Sequence, residues 1–67
     1  MQEKQYQLFY RSQGGIEKIN LRAIDKHMAK KFFSLLRPDA EIVYMTDDPI
    51  PMEPEYVENL MNANLIN

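Results

Sequence analysis

The side chains able to do chemistry are few and scattered. His27 is the single histidine and cysteine is absent, so a nucleophile–base pair finds no second member within the chain, and neither serine stands in a recognisable nucleophile context. His27 falls in the first turn of an expected helix, where an imidazole commonly faces solvent. Asp47 and Asp48, with Glu53, Glu55 and Glu58 nearby, offer oxygen ligands for a hard cation. Their spacing matches no calcium loop, and Pro49 and Pro51 interrupt it. There is no Walker lysine, no GxGxxG and no Cys/His ligand spacing, which removes the usual footholds of phosphate, dinucleotide and zinc chemistry. The reading is therefore of a non-enzymatic protein without cofactor, metal or small-molecule substrate.

Binding is the remaining class, and charge says where to look. All eight Lys and Arg residues lie between Lys4 and Arg37 beside only three acids, a net +5, whereas residues 38–67 carry seven acids and no base, a net −7. Such polarity either holds two charged surfaces together within the fold or presents two faces to different partners. An acidic loop and second helix combine Asp47, Asp48 and Glu55 with the aromatic and apolar anchors Tyr56, Leu60, Met61 and Leu65, a set suited to a protein partner. On the basic side, Arg11, Lys18, Asn20 and Arg22 share one expected sheet face, with Lys26 and Lys30 beside them. Residues of these types read base edges and phosphates when a two-stranded ribbon enters the major groove. The leading expectation is an accessory or regulatory protein, of the kind encoded on phages and other mobile elements, acting through another protein or a second copy of itself. The alternative is a small DNA-binding domain.

The elements that must position these residues follow from local signals. Gln5–Arg11 alternates, with Tyr6, Leu8 and Tyr10 on one face and Gln5, Gln7, Phe9 and Arg11 on the other, as a strand requires. Gly14-Gly15 can take the positive φ angles of a tight hairpin loop, and a second alternating run ends at Ala23, with Glu17, Ile19 and Leu21 opposed to Lys18, Asn20 and Arg22. Asn20 and Asp25 are both acceptable helix caps. The alternation selects Asp25, with Ile24 as a staple against Ala29 and a helix from Lys26 to about Leu36. Met28, Phe32 and Leu35 form its expected core stripe, flanked by Ala29, Phe33 and Leu36. Arg37-Pro38 ends it. Glu41–Thr46 reads as a third, largely buried strand, residues 47–52 are irregular because of their prolines, and Pro54 opens a second helix near Glu53 and Glu55.

The order β-β-α-β-α describes a single α+β domain over residues 1–67, a three-stranded antiparallel sheet packed on helices. Sixty-seven residues without a disulfide bury a thin core, so association with a partner or a homodimer is expected. No signal-peptide core or membrane span is legible, which places the expected location in the cytoplasm.

Overall fold

Two strands, β1 (Lys4–Ser12) and β2 (Gly15–Ala23), close a hairpin around Gln13-Gly14 in the computed structural model, which describes residues 2–63. The register pairs Tyr6 with Leu21, Leu8 with Ile19 and Ser12 with Gly15. Of the two glycines only Gly15 has a positive φ, +128°, a conformation that side-chain-bearing residues rarely adopt. Helix α1 (Lys26–Leu36) follows, then β3 (Glu41–Thr46) and helix α2 (Pro54–Asn62). The strand order is β2-β1-β3, with β1 antiparallel to both neighbours. β2 and β3 therefore run parallel to each other with β1 between them, and α1 is the crossover that this arrangement requires. Among the described residues, no helix is long and apolar enough to cross a membrane.

Asp25 caps α1 as its sequence position implies. Its backbone is extended (φ −152°, ψ 177°), and its carboxylate accepts the Met28 N–H at 2.9 Å. Asn20 lies inside β2, exposed and paired with Gln7. Asp25→Ala is expected to cost about 1 kcal/mol, and Asn20→Ala little, in urea unfolding followed by circular dichroism. The opposite ranking would place the helix start wrongly.

The core on the α1 side joins Tyr6, Leu8, Tyr10, Ala23, Ala29 and Phe33, with Ile19, Leu21, Met28, Ile42 and Met45 packed around it. Two expectations about α1 are corrected here. Phe32, placed in the core by the Met28/Phe32/Leu35 stripe, is 37% exposed, and Phe33 is buried in its stead with its ring centroid 5.2 Å from that of Tyr10. Met28 is half-buried, while Leu35 and Leu36 are exposed. The apolar residues of α1 form two overlapping rows, and the sheet takes the row that begins with the small Ala29, which lets the helix approach closely. Ile24, expected as a staple against Ala29, stays largely exposed because the sheet itself covers Ala29. β3 is half-buried rather than largely buried, since it is an edge strand. The β1–β3 register slips between Phe9, which faces Tyr44, and Tyr10, which faces Ile42, leaving Val43 as a bulge.

The second sheet face also departs from expectation. Expected as an open polar surface, it lies beneath α2 and the segment 47–53: Phe9 is fully buried, Gln7 is 5% exposed and Val57 of α2 is fully buried. β1 is thus covered on both faces from Tyr6 to Tyr10, as a central strand between two helical layers must be.

Candidate protein-binding groove

The segment after β3 crosses the sheet as a strap, and one buried side chain holds it. The Gln7 amide donates from Nε2 to the carbonyl oxygens of Asp48 (3.0 Å) and Ile50 (2.9 Å), and its Oε1 accepts the Met52 N–H at 2.8 Å. Asp48 N–H donates to Thr46 Oγ1 at 3.1 Å, Ile50 N–H donates to Asp48 Oδ1 at 2.9 Å, and Lys18 Nζ donates to Met52 O at 2.9 Å. Every N–H from Asp48 to Met52 thus has a partner, because Pro49 and Pro51, the alternate residues, have no N–H to satisfy. Pro-x-Pro therefore permits a non-strand segment to lie against a sheet without stranded donors.

Fixing the strap backbone this way turns the Ile50 side chain outward, where it is 68% exposed. Pro54 starts α2 immediately beyond, and Glu53 sits at its cap position with no side-chain hydrogen bond. Tyr56, in the first turn, is 53% exposed. Together with Tyr44 of β3, Pro51, Met52 and Leu60, these residues line a groove of about 530 Å³ whose rim carries Asp48 and Glu53. Exposed aliphatic and aromatic side chains on a hydrogen-bonded frame, bordered by carboxylates, form a surface that can seat an apolar anchor with a cation beside it.

Of the residues expected to bind protein, Asp48, Tyr56 and Leu60 meet in this groove. Glu55 is exposed in the same turn of α2 as Tyr56, and Met61 is half-buried further along that helix. Asp47 points elsewhere, its carboxylate 3.6 Å from Lys4 Nζ. Leu65 lies outside the described residues. Tyr44 and Ile50 belong to the groove without having been singled out from sequence, and Glu53, read there only as a possible cation ligand and helix-start acid, lines it together with Met52. For Ile50 the available signal was its position between two prolines, which hold an apolar side chain in a segment unable to join the sheet.

The residues of the DNA-binding alternative divide between two sides of the molecule. Arg11, Lys18, Asn20 and Arg22 lie on the sheet face that α2 and the strap share, whereas Lys26 and Lys30 are exposed on α1, across the sheet. Lys18 is engaged with Met52 O and stands 6.0 Å from the centroid of the Phe9 ring, and Arg22 Nε lies 3.7 Å from a Glu3 carboxylate oxygen. The acidic strap crosses this basic face, so part of the sequence's charge polarity is spent within the fold.

No known family model matches the chain, and no curated protein or solved structure matches it.

Proposed function

We propose that this protein is a non-enzymatic accessory or regulatory protein that acts by docking on another protein through the Ile50/Tyr56 groove. The observation that carries the reading is the exposure of Ile50 and Tyr56 beside a strap whose Asp48, Ile50 and Met52 backbone groups are all hydrogen-bonded. A side chain held outward by a rigid frame loses little entropy on binding, which is how a small surface gains affinity. The acidic rim selects partners that present Lys or Arg near an apolar anchor.

The test compares wild-type protein with Ile50→Glu and Tyr56→Ala as bait for proteins of the native host, each variant first checked for an unchanged melting temperature. A specific partner retained by the wild type and lost from both variants is the expected result. Partners retained equally by all three would place the interface elsewhere. Fluorescence polarisation against mixed-sequence duplex DNA completes the test. Micromolar binding that falls steeply with salt, about 0.9 in log–log slope for each phosphate contact, and is lost when Arg11 and Arg22 become glutamine, would overturn protein docking in favour of the DNA alternative.

A further inference from the structure

β3 is an edge strand, and its outer side borders the groove. Among the described residues it pairs with β1 alone and no other hydrogen bond to its backbone is seen. The other edge, β2, carries Glu17, Lys18 and Arg22, charges of the kind that discourage further strand pairing. The β3 sequence Glu-Ile-Val-Tyr-Met-Thr has neither lysine, arginine nor proline and is mostly β-branched or aromatic, the composition that accepts another strand. Tyr44 belongs to both the edge and the groove wall. A segment laid along β3 would thus send alternate side chains toward Ile50 and Tyr56 while its backbone completes the ladder.

We infer that the groove takes an extended segment of a partner protein, added to the sheet beside β3, in which apolar residues alternate and Lys or Arg residues flank them. This rests on the protein-docking reading above and specifies its mode. Charge selects the occupant: Glu41 lies on the edge strand itself, Asp48 and Glu53 line the adjoining groove, and no base occurs anywhere in residues 38–67. The same charges disfavour a second copy, because symmetric antiparallel pairing of two β3 strands brings Glu41 of each copy next to the Thr46-Asp47 end of the other. The Val43 bulge interrupts the regular ladder, so the added strand is short, centred on Tyr44–Thr46, and the groove supplies the remaining affinity.

The experiment is selection of a randomised dodecapeptide display library on the full chain. The winning peptides are then resynthesised with single N-methyl groups along the backbone and titrated against wild type, Ile50→Glu and Tyr56→Ala. Expected are basic peptides with period-two apolar residues, weakened by both variants. N-methylation should weaken them by about tenfold at alternate positions only, the loss of roughly one backbone hydrogen bond each time. Peptides that depend on Ile50 and Tyr56 but are acidic, or are indifferent to the methylation pattern, leave the docking site standing and overturn strand addition. If no enriched peptide depends on Ile50 or Tyr56, the groove reading falls and the inference with it. Sedimentation that reveals a wild-type dimer in which a second copy and the selected peptides exclude each other would assign the edge to a second copy and overturn the inference as well.

Discussion

Phe33→Ala is expected to remove about 3 to 5 kcal/mol of folding stability, whereas Phe32→Ala, next to it in sequence, should remove about 1 kcal/mol or less. The Phe33 side chain is 1% exposed and stacks on Tyr10 in a tilted geometry with 53° between the ring planes. Truncating it forfeits the burial of the ring, the aromatic contact and the packing of the cavity left behind. A domain of this length has about 3 to 10 kcal/mol in total, so the variant should be largely unfolded or lack a cooperative melt. Phe32 already spends 37% of its surface in water, and its removal leaves no enclosed void. Thermal and urea unfolding of the two variants, followed in parallel by circular dichroism, gives the comparison. A cooperative Phe33→Ala melt close to wild type beside a collapsed Phe32→Ala variant would reverse the helix orientation described above.

That pair of residues also marks how far the sequence could be read. Elements whose signals are local were legible: Gly14-Gly15 at the hairpin, Asp25 at the start of α1, Pro54 at the start of α2. The rotation of α1 was not, because Met28/Phe32/Leu35 and Ala29/Phe33/Leu36 have the same helical spacing, and only the sheet against which the helix lies selects between them. Gln7 was misassigned for a related reason. Alternating with Tyr6 and Leu8, it resembles any solvent-facing strand residue, and its partners lie more than forty positions downstream. Phe9 held the one contrary signal, since a phenylalanine on the supposed polar face, between Leu8 and Tyr10, fits a strand covered on both sides. At the candidate site, Tyr56 and Leu60 were legible as anchors on an amphipathic helix. Ile50 and Tyr44 were hidden, one inside a proline-rich segment and the other within a run taken as largely buried.

Gln7→Leu is expected to destabilise the domain by about 2 to 4 kcal/mol and to loosen the strap before the rest unfolds. Leucine approximates the volume of glutamine but leaves the carbonyls of Asp48 and Ile50 and the N–H of Met52 facing an apolar side chain. Each loses a partner now held at 2.8–3.0 Å, and an unsatisfied polar group in a partly buried site costs more than the net value of the bond it lost. Gln7→Glu should be worse than Gln7→Leu near neutral pH, because a carboxylate keeps an acceptor for Met52 but replaces the two donors with negative charge against two carbonyl oxygens. Gln5→Leu provides the comparison: Gln5 lies on the same strand and is exposed, so its replacement should be nearly neutral. Native-state hydrogen exchange is the decisive readout, since the Ile50 and Met52 amides should exchange faster in Gln7→Leu while the amides that pair β1 with β2 change far less. Loosening the strap also frees Ile50, so peptides selected on the wild-type groove should bind the variant more weakly even where it remains folded. If strap protection, unfolding free energy and peptide affinity all stayed at wild-type levels in Gln7→Leu, the Gln7 amide would not be what holds the strap on the sheet.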